Sequence, residues 1–225
     1  MSDSDVITEA LEKHVLPYRI GLTGNIATGK STVGRMLVEL GAVLIDADRV
    51  AHDVLMPGGA AYASVLQTFG STILSPDGLL DRQKLGAIVF SNPEAMQRLE
   101  SLVHPPVIAS IDQTIADLRV QIVVVEAIKL LETGMADNYD AIWVTTCPEP
   151  VQLARLMRIR KLQREDALLR LQAQSPQEDK LVHADVVINT AGTLEETRAQ
   201  VREAWRHLPL DLHQADGRYA QSVGA

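Results

Sequence analysis

Five short apolar runs rich in branched residues punctuate the chain, at 19–23, 42–45, 121–125, 141–146 and 185–188. Their brevity and continuous apolar character predict strands buried on both faces. Between them lie longer stretches with helical periodicity. Val33, Met36, Leu37 and Leu40 recur at the i, i+3, i+4, i+7 spacing, and Gly41 follows where a helix would stop. Strands alternating with helices imply an α/β fold built on a parallel sheet covered on both faces.

Local signals place several boundaries. Ser91 with Glu94, Ser175 with Glu178 and Thr193 with Glu196 each match the Ser/Thr-x-x-Glu box that satisfies orphan N–H groups at a helix start. Pro105 and Pro106 are expected to divide the periodic stretch 93–118 into two helices, because proline lacks the N–H donor and clashes with the preceding turn. The second predicted strand ends near Ile45 and the third begins near Gln121, so about 75 residues connect them, far more than a simple crossover needs. The periodicity there is helical. Residues 49–118 therefore read as a helical insertion beside the carboxyl ends of the strands, where a second substrate could be held. The core then comprises 18–48 and 119–208, and residues 1–17 and 209–225 read as poorly ordered tails.

Composition narrows the possible functions. Of 225 residues, 46% are hydrophobic and 22% charged, as in a globular protein that can bury a sizeable core. Asp and Glu number 29 against 21 Lys and Arg, which argues against a general nucleic-acid binder. Any anion site must be local. The single Cys147 cannot form an internal disulfide and has no neighbours at metal-ligand spacing, so it reads as strand-end packing in a reducing cytoplasm. No segment approaches the roughly 20 apolar residues of a membrane span, and the acidic N-terminus lacks the pattern of a signal peptide.

One motif supplies a local anion site. Gly24-Asn25-Ile26-Ala27-Thr28-Gly29-Lys30-Ser31-Thr32 fits G-x-x-x-x-G-K-[ST] in full, after an apolar run and before an amphipathic helix. Gly24 and Gly29 tolerate the backbone angles of a loop that wraps a triphosphate, and the helix N-terminus favours negative charge. Lys30 is expected to reach the β- and γ-phosphates and Ser31 to ligate Mg²⁺. A phosphate loop alone leaves function open. The chain contains neither Asn-Lys-x-Asp nor Asp-x-x-Gly, which removes a GTPase switch. Val123-Val124-Val125-Glu126 only partly matches the apolar run ending in Asp-Glu of motor-type ATPases.

A small-molecule kinase needs a base near the γ-phosphate and cations to neutralise the transferring phosphoryl group. Ile45-Asp46-Ala47-Asp48 puts two carboxylates beyond the second strand. An extended segment would point both to one side, suiting one general base and one metal-linked group, the alternative being two solvated or helix-capping acids. Arg155, Arg158, Arg160, Lys161, Arg164 and Arg170 cluster in an otherwise acidic protein and read as a phosphate-neutralising lid over about 153–172. The residues alone thus indicate an ATP-dependent small-molecule kinase, with a nucleoside or nucleotide kinase and a regulatory ATPase as alternatives. Trp205 reads as core packing.

In combination these residues resemble the dephospho-CoA kinase family. The likeness is carried by Gly21-Leu22-Thr23-Gly24 running into Gly29-Lys30-Ser31-Thr32, by Asp46-Ala47-Asp48, and by Asp81-Arg82 with Ile88-Val89-Phe90. It continues through Leu99-Glu100 with His104-Pro105, and Gln174 before Ala184-Asp185. The resemblance implies a three-layer P-loop fold with a helical acceptor-binding insertion and a helical lid. It implies ATP and dephospho-CoA as substrates with Mg²⁺ as cofactor, the product being CoA phosphorylated at the ribose 3′-hydroxyl. Asp48 would be the base and Arg155 the lid arginine. Gly24, Asn25, Ile26 and the residues from Ala27 to Thr32 would hold ATP, with Asn189 at the adenine. Asp48, Asp81, Arg82 and His104 would bind the acceptor, and Ser31 and Asp46 the metal. Two departures stand out. Glu126-Ala127-Ile128-Lys129-Leu130-Leu131 replaces an acid followed by Ile-Pro-Leu-Leu, and Ile159 stands where a second arginine is expected.

Overall fold

The computed structural model describes residues 16–209. Most of the two expected tails lies outside them. Five strands, β1 (Tyr18–Thr23), β2 (Val43–Asp46), β3 (Ile122–Glu126), β4 (Ala141–Thr146) and β5 (Val186–Asn189), form one sheet in the order β2-β3-β1-β4-β5. All of its pairings are parallel. Each expected strand is present within a residue of its expected bounds, because a fully buried strand is marked by its own apolar run.

Alternation along the strands divides the core in two. Val123, Val125, Ile142 and Val144 face one cluster, and Ile20, Leu22, Val124 and Trp143 face the other. Helices α1 (Lys30–Glu39) and α9 (Leu194–Arg206) cover the second face through Val33, Met36, Leu37 and Val201. Trp205 packs against the same cluster. The first face is covered by α2 (Ala47–Asp53), α3 (Tyr62–Phe69), α4 (Arg82–Phe90) and α5 (Pro93–Asp117). Those four helices make up most of the long β2–β3 connection, and Val65, Leu85, Val89, Val107 and Ile115 join Val123 and Val125 in one cluster.

The expected break at Pro105 and Pro106 does not occur. Both lie inside α5, a continuous helix of 25 residues. Two donors are lost, yet Val103, Val107, Ile111 and Ile115 on either side remain buried, and this tertiary packing outweighs the local penalty. Two of the three expected capping boxes are also absent. Ser91 turns back to the carbonyls of Ala87 and Ile88, while Asn92 caps α5 by accepting from Glu94 and Ala95. The helix after Ser175, α8 (Gln177–Leu181), has Pro176 at its N-cap and no side-chain cap. The Thr193–Glu196 box forms in full. The remaining helices, α6 (Glu149–Arg160) and α7 (Arg164–Gln172), join through Lys161 at φ 52 and pack on each other through Leu153, Leu156 and Ala167.

Candidate active site

Because every strand runs the same way, the carboxyl ends of all five open on one edge of the sheet, and the site is assembled there. The loop after β1 arches through Gly24 at φ 145, Ala27 at φ 61 and Gly29 at φ 92. A Cβ at position 24 would lie 2.5 Å from the Thr145 carbonyl oxygen, so no larger residue fits against β4 there. Gly29 is the N-cap of α1 and supplies no side-chain cap, leaving the first-turn amides for an anion. Lys30 is 8% exposed, and its Nζ donates to the carbonyls of Gly24 (2.7 Å) and Asn25 (3.2 Å). Burial lowers its pKa to about 8, with Glu126 and Asp48 opposing the shift.

Beside the loop lies the acid group. Asp46 and Glu126 are register partners at the ends of β2 and β3. The Ser31 hydroxyl donates to Glu126 Oε1 at 2.9 Å. Asp46 Oδ1 accepts from the N–H groups of Asp48 (2.9 Å) and Arg49 (3.2 Å), capping α2. The expected extended segment through Asp48 is thus a strand-to-helix turn, since Asp46 provides the acceptor that starts a helix. Both acids still line one cleft with Lys30 and Ser31. Asp48 keeps surface open to solvent, yet its recess is crowded enough to raise its pKa. Desolvation is the main cause, Asp46 adds to it and Lys30 opposes it. The Glu126 carboxyl is pushed up chiefly by burial, against the Ser31 hydrogen bond.

The cleft has a volume of about 730 Å³. Arg155 closes one side, its guanidinium donating to the Ala27 carbonyl (3.2 Å), the Thr190 hydroxyl (2.9 Å) and the Thr190 carbonyl. Arg158, Ile159 and Arg160 line the cleft too, whereas Lys161, Arg164 and Arg170 do not. Of the residues expected to hold ATP, Ile26, Ala27, Gly29, Lys30, Ser31 and Thr32 line it. Gly24, Asn25 and Thr28 do not, and their bonds set the shape of the loop. Asn189 also lies off the lining, with its backbone held by the Gln200 side chain and its Oδ1 accepting from Ala191. Thr190, Gly192, Leu194 and Thr197 occupy that end of the cleft instead.

Of the residues expected to bind the acceptor, Asp48 lines this cleft, whereas Asp81, Arg82 and His104 sit apart from it. Asp81 caps α4 by accepting from Gln83 and Lys84. Arg82 bonds to His52 at the end of α2, and His104 is half-buried on α5. Lys129 forms an ion pair with Glu100 on α5, tying the turn after β3 to the insertion. Cys147 is buried without a disulfide and touches Arg155. Glu126 had a visible signal in its position after an apolar strand. Thr190, Gln174 and Gln177 had no signal for their contacts with the loop, because their partners lie more than a hundred residues away.

The family model for dephospho-CoA kinase matches residues 18–196. A dephospho-CoA kinase of Carboxydothermus hydrogenoformans is 48% identical over 190 residues, 83% of this chain and 92% of that relative. Among solved structures, TT1252 from Thermus thermophilus superposes with a TM-score of 0.77 at 30% identity, covering 87% of this chain and 100% of that one. Dephospho-CoA kinase from Campylobacter jejuni gives a TM-score of 0.61 at 31% identity over 84% of this chain and 95% of that one. The matched span includes the arched loop, the acid pair and the insertion together, and the chain belongs to the dephospho-CoA kinase family.

Proposed function

We propose that this cleft transfers the γ-phosphoryl group of ATP to the ribose 3′-hydroxyl of dephospho-CoA, giving CoA and ADP in the final step of CoA synthesis. The observation that carries this reading is Asp48, a carboxylate of raised pKa in the same cleft as the phosphate-loop Lys30 and Arg155. In the transfer, the acceptor oxygen bonds to the γ-phosphorus while the bond from that phosphorus to the β–γ bridging oxygen breaks. Asp48 takes the hydroxyl proton, and the electron pair of the broken bond stays on ADP. Lys30 and the arginines Arg155, Arg158 and Arg160 offset charge on the phosphates. The residues around Ser31 suit Mg²⁺, since a hydroxyl and the carboxylates of Asp46, Asp48 and Glu126 are hard oxygen donors. Among the described residues no group of three or more His, Cys, Asp or Glu could hold a metal by itself. Ser31 and Asp46 would hold Mg²⁺ together with oxygens that the protein does not supply. When bound, it neutralises phosphate charge and aligns the transferring group.

The helical insertion, with Asp81, Arg82 and His104, is the proposed acceptor-binding region. Its support is the Arg82–His52 bond, which links α4 to the helix that carries Asp48. A cytoplasmic location belongs to the same reading, supported by the single unpaired Cys147. No helix among the described residues is long and apolar enough to cross a membrane.

A coupled ADP-release assay with Mg²⁺ and ATP across several acceptors tests the proposal. Dephospho-CoA is expected to give CoA. Asp48→Asn should bind both substrates and lose about 10²- to 10⁴-fold in kcat. Turnover of another alcohol but not of dephospho-CoA would overturn the acceptor assignment, and full activity in Asp48→Asn would remove the base.

A further inference from the structure

Three groups on the phosphate loop are bonded to a segment about 150 residues downstream, between α7 and the first turn of α8. The Ile26 N–H donates to Gln174 Oε1 at 2.7 Å, and the Asn25 N–H donates to Gln177 Oε1 at 3.1 Å. The Asn25 side-chain amide donates to the Ser175 carbonyl at 2.9 Å. Gln177 then uses its own Nε2 to donate to the Thr145 carbonyl at 3.1 Å, and Thr145 is bonded through its hydroxyl to Thr28 at 2.8 Å. The Gln177 side chain thus joins the rising limb of the loop to the end of β4, and Gln174 holds the next residue of that limb.

The segment that carries them is itself anchored. Lys180, on the same short helix as Gln177, is 2% exposed and bridges Glu132 and the Ile128 carbonyl. The Thr23 hydroxyl donates to that same carbonyl, so strand β1, the 128–132 turn and α8 share one acceptor. A buried lysine with a single carboxylate partner tolerates little movement, since separation would leave a charge unpaired in the interior.

The loop needs such support. Ala27 holds φ 61, a left-handed conformation that costs a non-glycine residue energy and persists only where its surroundings enforce it. Arg155 grips its carbonyl from one side, and Gln174 fixes the amide of the preceding residue from the other. Ile26 at the tip of the arch packs into the small cluster of Leu153, Leu156 and Ala167 that joins α6 to α7. The arch and the arginine-bearing helix pair therefore share contacts at Ile26, and Gln174 lies where that pair ends.

We propose that Gln174 and Gln177 are positioning residues that hold the phosphate loop in its nucleotide-receiving shape and tie it to the base of the α6–α7 pair. The proposal rests on the kinase reading only in taking this loop as the polyphosphate site. Its test is direct nucleotide binding, which does not depend on which acceptor is used. Calorimetric titration of Gln174→Met should show ATP and ADP weakened about tenfold, the scale of one lost hydrogen bond. AMP, which lacks the β-phosphate that the loop cradles, should bind as to the unaltered protein. Gln177→Met leaves Gln174 in place, should give the same pattern, and keeps the test available if Gln174→Met does not fold. Unchanged ATP affinity in both variants would overturn the proposal. Equal weakening of ATP, ADP and AMP would overturn it as well, because that is the result of a general loss of folded protein.

Discussion

Asp46 closes β2, caps α2 through two accepted N–H bonds and raises the pKa of Asp48 beside it. The cap needs only an acceptor oxygen, and the effect on Asp48 needs a charge. Asp46→Asn separates them, because asparagine caps helices as well as aspartate does. Removing the negative neighbour lowers the Asp48 pKa, so the base stays ionised to lower pH. The acid limb of the kcat/KM profile is therefore expected to move to lower pH whatever the absolute rate. A limb that stays in place would mean that Asp46 does not act on the base. At this scale the sequence singled out Lys30, Ser31 and Asp48 by residue type, and the fold brings the three into one cleft. The cap on Asp46 was only the alternative reading, because it depends on whether the chain continues as a strand or turns into a helix.

Helix α5 shows where local rules lose to packing. Its two internal prolines remove the donors that would reach the carbonyls of Ser101 and Leu102, yet the helix runs on through Val107, Ile111 and Ile115. Pro105→Ala restores one such donor in the same backbone. Urea unfolding should show the variant more stable by about 1–3 kcal/mol, the range set by proline's helix penalty. A less stable variant would show instead that the proline's fixed geometry aids packing on the sheet. Capping signals were legible only where nothing competed. Thr193 formed its box, whereas Asn92 displaced Ser91 one residue later in the chain. A capping pattern specifies a motif but not its register.

Among the described residues two main apolar clusters lie on opposite faces of the sheet, and the buried residues of the insertion belong to the first of them. Val65, Ile73, Leu85 and Val89 share theirs with Val123, Val125, Ile142 and Val144. Unfolding is accordingly expected to be one cooperative event. Ile115 is fully buried in the first cluster and Trp143 fully buried in the second. Ile115→Ala should cost about 2–5 kcal/mol. Trp143 fluorescence and helical circular dichroism should shift by the same amount. Separate midpoints for the two probes would show that the insertion unfolds independently of the sheet.

The sequence by itself determined the strands and the kind of loop that follows the first of them. Five apolar runs specified the strands because burial on both faces leaves no polar alternation, and Gly24 to Thr32 specified a phosphate site because few sequences permit that arch and charge together. Only the tertiary structure decided which distant groups meet. The pairing of β2 with β3 set Asp46 beside Glu126. Parallel pairing of β4 with β1 and of β5 with β4 brought Arg155 and Thr190 to the loop. The return of α8 placed Gln174 and Gln177 on its amides. Those contacts arise from strand order and long-range packing, which local patterns do not encode, and the phosphate loop recognised in the sequence takes its working shape from them.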